Sequence, residues 1–104
     1  MAWIELHESF REHEKIRALA KHYGISRNEA KGIIVSLWLW AVSNATDGDV
    51  TARDSEELAA ACEVPQLTDM KDVLISIGWL DVRRRKTIIH DWKKHGIRML
   101  EQSQ

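Results

Sequence analysis

The 104-residue sequence predicts a mainly α-helical domain with a small β-hairpin. Apolar residues recur at helical spacing in separate stretches, and two helix starts carry capping-box spacings. Two short β-prone runs also flank four consecutive cations, Arg83-Arg84-Arg85-Lys86. With 15 Lys+Arg, 16 Asp+Glu and 44% hydrophobic residues, the composition is that of one ordinary globular domain, residues 1–104.

The elements follow in chain order. Ile16, Leu19, Ala20 and Tyr23 form the stripe of an amphipathic helix over 13–23, and Gly24 follows where a left-handed end residue belongs. Ser26-Arg27-Asn28-Glu29 has capping-box spacing and opens a helix over 27–44. That helix is apolar nearly all round from Ile33 to Val42, so it is either the central helix or meets a partner on one face. Residues two apart on a helix diverge by about 200°, so Trp38 and Trp40 point to nearly opposite sides. One is expected in the core, the other against the extra helices or a second subunit, and both are candidates for an oligomer interface.

Asp47-Gly48-Asp49 signals a turn, and Val50-Thr51 can add one rung to a sheet. Asp54 to Glu57 repeats the capping-box spacing ahead of a short helix over 55–62. After Pro65 another helix starts near Thr68, with Leu67, Met70, Leu74 and Ile77 as its stripe and Gly78 as its end. Trp79 to Val82 and Thr87 to His90 then make a hairpin whose charged tip is the basic tetrad. Asp91 is a candidate cap for a last helix over 92–100, in which Gly96 costs about 1 kcal/mol relative to Ala.

Helix, short strand, helix, helix, hairpin is the element order of a winged helix-turn-helix domain, here with a core of about 26–92 and extra N-terminal and C-terminal helices. In that fold the second helix of the turn motif approaches the major groove and the wing lies along the phosphate backbone or adjoining minor groove.

Charge is divided unevenly. Residues 51–78 carry two basic and six acidic side chains, whereas residues 79–104 carry seven and three. The tetrad concentrates a positive field on an almost neutral chain, which points to a nucleic acid partner. Its competing reading is a solvated tip that guards a strand edge. Lys93 and Lys94 extend the same patch or are simply solvated. In the groove helix, Thr68 and Lys71 are contact candidates, but Asp69 and Asp72 face phosphate and most base acceptors unfavourably, so the wing is the stronger source of affinity.

Other chemistries find no support. The five His match no zinc spacing, and the one thiol, Cys62, closes no bridge within the chain. No nucleophile elbow and no Gly-rich phosphate loop is present, so neither catalysis nor a cofactor is expected. The longest apolar run, 32–42, is too short to span a bilayer, and no leader pattern opens the chain, so a location inside the cell is expected. The tryptophans, Trp3, Trp38, Trp40, Trp79 and Trp92, are expected in the core in preference to stacking on bases.

The run Lys15-x-Arg17-x-Leu19-Ala20, the helix Leu37-Trp38-Leu39-Trp40-Ala41, the turn Asp47-Gly48-Asp49, the pair Leu58-Ala59, the segment Gly78-Trp79-Leu80-Asp81 and the stretch Ile88-Ile89-His90-Asp91-Trp92 occur in one order. Together they resemble the N-terminal domain of phage replisome organisers, replication initiators related in architecture to the DnaD-type primosome proteins of Gram-positive bacteria. The resemblance runs from Trp3 to about Trp92. It implies a winged-helix domain acting in the cytoplasm of the bacterial host, binding duplex DNA at or near a replication origin and often self-associating. It also implies a helicase loader or helicase as partner, engaged through a C-terminal region that these 104 residues do not contain. The alternatives are a protein-interaction or oligomerisation module of a replication complex and a small transcriptional regulator.

Overall fold

In the computed structural model, residues 10–92 are described, with side chains from His13 onward. The expected helix over 92–100 and the residues Trp3, Lys93 and Lys94 therefore lie outside the described residues, apart from Trp92 itself. Four helices, α1 (Phe10–Tyr23), α2 (Arg27–Asn44), α3 (Ser55–Ala61) and α4 (Met70–Ile77), precede strands β1 (Leu80–Arg83) and β2 (Lys86–Ile89). The described chain is mainly helical with a small antiparallel hairpin, as its sequence predicts.

The helix starts follow from local chemistry. At α2 the capping box is complete: the Glu29 amide donates to Ser26 Oγ at 3.1 Å and the Ser26 amide to the Glu29 carboxylate at 3.4 Å. At α3 only half of it forms. The Glu57 amide donates to Asp54 at 2.8 Å, but the Glu57 carboxylate turns outward to Arg53 at 3.1 Å, one turn back on the same face. The start of α4 differs more. Asp69 stands at the cap position without a side-chain cap bond, because its carboxylate is drawn to α1, where Tyr23 Oη donates to it at 2.8 Å and His22 Nε2 lies 3.1 Å away. Thr68, expected inside the helix, consequently lies in the turn before it.

Helix α2 is the centre of the core. Ala30, Ile33, Ile34, Leu37, Trp38 and Ala41 are buried along it, and Ile16 and Leu19 of α1, Leu58 of α3 and Met70 and Leu74 of α4 belong to the same cluster. Trp38 meets Trp79 edge to face, with centroids 6.3 Å apart. Trp38, one of the two interface candidates, is 2% exposed and so cannot form an oligomer contact. It is enclosed by the chain's own elements, which all-round apolarity alone does not distinguish from enclosure by a partner.

The hairpin pairs Leu80 with Ile89, Asp81 with Ile88, Val82 with Thr87 and Arg83 with Lys86. A third extended segment, 48–50, lies along the free side of β2: the Val50 amide donates to Thr87 O at 2.8 Å and the Ile89 amide to Gly48 O at 2.9 Å. Gly48 has φ of 77°, and the indole of Trp92 packs where a Cβ would stand while donating from Nε1 to Thr46 O at 2.9 Å. Asp91 has φ of 53°, outside the extended region an N-cap residue normally takes, so the backbone does not support the cap expected there.

Replacing Gly48 by Ala is expected to destabilise the domain by about 3 kcal/mol, since the new methyl overpacks the indole and the left-handed backbone is strained. Gly32→Ala, on the exposed side of α2 with nothing near the new methyl, is expected to stabilise it by about 0.5–1 kcal/mol. Urea unfolding monitored by tryptophan fluorescence checks both.

Candidate nucleic-acid interface

The basic tetrad occupies the distal end of the hairpin, divided between ladder and turn. Arg83 and Lys86 form the last cross-strand pair, and Arg84 and Arg85 are the two turn residues, all four exposed. Both turn residues are left-handed, with φ of 50° and 68°. A two-residue loop with two positive φ values is the type I′ pattern, whose twist matches the strands and which normally selects Asn-Gly. Arg has no such preference. A left-handed L-residue other than Gly costs on the order of 1–2 kcal/mol, so the arginines occupy the apex against local backbone energetics.

The four cations are not equivalent. Among the described residues, the side chains of Arg83, Arg84 and Arg85 have no hydrogen bond or ion pair, whereas Lys86 lies near Asp49 and helps to lower its carboxyl pKa. The larger cause of that lowering is Thr51, whose hydroxyl and backbone amide both donate to Asp49 Oδ1. Among the described residues, three guanidinium groups are thus without a side-chain partner and one ammonium is partly compensated.

The helix pair contributes less than its cations suggest. Lys71 is half-buried, and its ammonium donates to the carbonyls of Thr51, at 3.2 Å, and Arg53. Those bonds tie α4 to the segment before α3, so Lys71 is not the outward-reaching contact its position suggested. Thr68 is exposed in the turn before α4, beside Asp69. The outward side of α4 presents Asp72 and Ser76, and the first turn of α3 adds Glu56 and Glu57. Hydrogen bonds from His22 and then Tyr23 hold the Asp69 carboxyl below the usual carboxylate range, so it stays ionised to lower pH than an ordinary aspartate. Negative charge on this surface disfavours phosphate approach.

Two cations outside the tetrad do structural work that the sequence did not reveal. Lys15 Nζ donates to Gly78 O at 2.8 Å, at the C-terminus of α4, and lies 5.1 Å from the Trp79 ring centroid. The Arg53 guanidinium covers Trp40 at 5.2 Å and donates to Asn44 O at 3.1 Å. Trp40, the other interface candidate, is therefore half-covered, and the exposed apolar side chain on α2 is Leu39, at 46%. Leu39 lies angularly between the two tryptophans, and no sequence feature distinguished it from them.

His90 Nδ1 lies 2.7 Å from Asp81 Oδ2 at the hairpin base. Burial pushes the Cys62 thiol up to about 12, leaving it without nucleophilic thiolate at neutral pH. Among the described residues no group of three or more His, Cys, Asp or Glu is placed to hold a metal, and no helix is long and apolar enough to cross a membrane. Comparison of the chain with protein-family models, with curated proteins and with solved structures gave no match.

The apex geometry sets an outcome with opposite signs in two assays. Changing Arg84-Arg85 to Asn-Gly is expected to raise stability by about 1–2 kcal/mol in urea unfolding, because the turn type then has its preferred residues. The same variant is expected to lose affinity for any polyanion bound at the tip.

Asp69 provides a pH signature. Its folded-state pKa is lowered, so its contribution to stability is complete above the unfolded value and is lost as pH falls through the lower folded value. The stability difference between the parent chain and Asp69→Asn is therefore expected at pH 6 and to shrink as pH falls below the ordinary carboxylate range, as read from urea midpoints.

Proposed function

We propose that this chain is a winged helix-turn-helix domain of a phage-type replication initiator, with an extra N-terminal helix, and that it binds duplex DNA chiefly through its wing. The observation that carries the reading is the hairpin tip, where Arg84 and Arg85 of a left-handed turn and Arg83 and Lys86 of the last cross-strand pair are all exposed, the three guanidinium groups without an ion pair among the described residues. Phosphate neutralisation supplies most sequence-independent affinity for DNA and needs only such clustered charge.

The topology supports the fold assignment. Segment 48–50 pairs with β2, which pairs with β1, so the strand that follows the first core helix lies beside the last strand of the hairpin. Helices α2, α3 and α4 supply the three-helix core, and α1 packs against α2 and α4 from outside it. The acidic outward side of α4 argues for positioning on DNA through the backbone and against base reading by that helix. The role in replication, and a helicase or its loader as a further partner, rest on the resemblance to replisome organisers. The domain acts by binding, without bond chemistry or a cofactor.

The test is fluorescence anisotropy of a labelled duplex across a salt series, with the parent chain and a variant in which Arg83, Arg84, Arg85 and Lys86 are Ala. Each phosphate contact contributes about 0.9 to the log–log salt slope, and with Lys86 partly compensated the variant is expected to lose about 2–3 units. Absence of binding at low salt, or an unchanged slope, overturns the wing as the binding element. The interaction-module reading then takes its place, with Leu39 on α2 as the exposed apolar contact.

A further inference from the structure

A groove of about 340 Å³ runs between α2 and the segment 62–67 that follows α3, and it shares no residue with the hairpin. Its floor is apolar. Tyr23, Ile25, Val64 and Leu67 are half-buried, packed against the core yet open in part, and buried Ile33 joins them. The Tyr23 ring is held there by its hydroxyl, which donates to Asp69 at 2.8 Å. Concave aliphatic and aromatic surface that is fixed in place is the usual floor of a binding site.

Two residues along the groove stand against local energetics. Gly32 lies inside α2, where glycine is the poorest helix former after proline, and among the described residues nothing stands within 4 Å of where a Cβ would be. No contact within the described domain therefore calls for glycine there. On the groove side it has a use: with Ser36 one turn further on, it leaves the α2 wall low enough for another backbone to approach closely. Glu63 ends α3 in a Schellman pattern, its amide donating to Ala60 O at 3.0 Å and that of Val64 to Ala59 O at 2.9 Å. Its φ of 62° is one that glycine normally supplies, so a carboxylate stands on the rim where backbone preference favours no side chain at all. Glu29, one turn before Gly32, lines the groove as well, and no Lys, Arg or His does.

We infer that this groove docks a short amphipathic helix of a partner protein, its aliphatic side chains laid against Gly32 and Ser36 and its flanks carrying Lys or Arg. From Glu29 to Ser36 the α2 wall is two turns long, about 10 Å, and a helix with apolar groups at i, i+3, i+4 and i+7 presents a stripe of the same length. The flanking cations follow from the rim, where both charged lining residues are acidic. That rim repels a nucleic acid, so the site is separate from the DNA binding proposed for the hairpin and does not rest on it.

The experiment uses the full 104-residue chain and three labelled synthetic helical peptides of equal length. One has a Leu stripe with Lys elsewhere, the second the same stripe with Glu elsewhere, and the third Ala in place of Leu with Lys elsewhere. Affinity is read by anisotropy and location by amide shifts of the isotope-labelled chain. The Leu–Lys peptide is expected to bind about tenfold more tightly than either of the others, since it alone has both stripe and charge, and to shift the amides of Gly32, Ser36 and Leu67. Gly32→Leu is expected to weaken that binding about tenfold by filling the groove, with a urea midpoint at or above the parent's because glycine leaves the helix interior. Glu63→Asn is expected to weaken it about threefold without lowering the midpoint, since Asn accepts the left-handed backbone and carries no charge. Equal affinity of the two Lys peptides reduces the effect to charge attraction and overturns the inference. Full affinity in folded Gly32→Leu, or amide shifts confined to other surfaces, overturns the site. Sedimentation in which the parent chain pairs with itself and Gly32→Leu does not makes a second copy the occupant and overturns the partner helix. No binding of the Leu–Lys peptide overturns the groove altogether. Both variants are expected to keep the parent's affinity for duplex DNA, so failure here is distinct from failure of the wing.

Discussion

The edge-to-face contact of Trp38 with Trp79, 6.3 Å between centroids, joins the two halves of the molecule. Trp38 lies in the buried stripe of α2, and Trp79 is the residue between the end of α4 and the start of β1. The path of the chain into the hairpin depends on that contact. Gly78, at φ of 103°, ends α4; its own amide and that of Trp79 both return to Leu74 O, at 3.1 and 2.8 Å. Lys15 reaches across from α1 to the Gly78 carbonyl and lies over the same indole. Helix α1, helix α2, the end of α4 and the root of the hairpin therefore converge on one aromatic ring.

Electrostatics then separates the two ends of the domain. Near the helix pair the cations are consumed internally: Lys71 by two backbone carbonyls, and Arg53 by Trp40, Glu57 and Asn44 O. The acids there remain largely at the surface, with Asp69 held ionised by α1. At the hairpin tip the reverse holds, because the side chains of Arg83, Arg84 and Arg85 form no ion pair among the described residues. A nearly neutral protein thus presents a negative helix pair and a positive hairpin tip.

The apex combines a structural cost with that field. A tip composed of Asn-Gly would fold more easily but carry no charge, and a tip with its arginines only on the ladder would be less strained but broader. Arg at both left-handed positions is a local disagreement between sequence preference and structure. The rung beneath holds the ladder, where segment 48–50 and Thr51 Oγ1 anchor β2 at Thr87 and Ile89.

Much of the architecture was legible in the sequence, because periodicity, capping spacing and β-prone runs are local signals: α2, α3 and the hairpin stand within a residue of where those signals put them, whereas the added rung falls at 48–50 and not at Val50-Thr51. The position of the basic tetrad at a hairpin tip was legible for the same reason. What the tertiary structure decided was the use of each side chain. Lys71 was indistinguishable from a solvent-facing contact until the carbonyls of Thr51 and Arg53 were seen beside it. Asp69 was expected inside the groove helix, yet it stands at the cap position of α4 with its carboxylate drawn away by α1. Trp38 and Trp40 looked equivalent, but only Trp38 is fully enclosed, leaving Leu39 as the exposed apolar group. Local sequence determines which elements form, because helix and strand energetics depend on neighbours in the chain; which charges are satisfied and which faces remain open depends on groups that meet only after those elements pack.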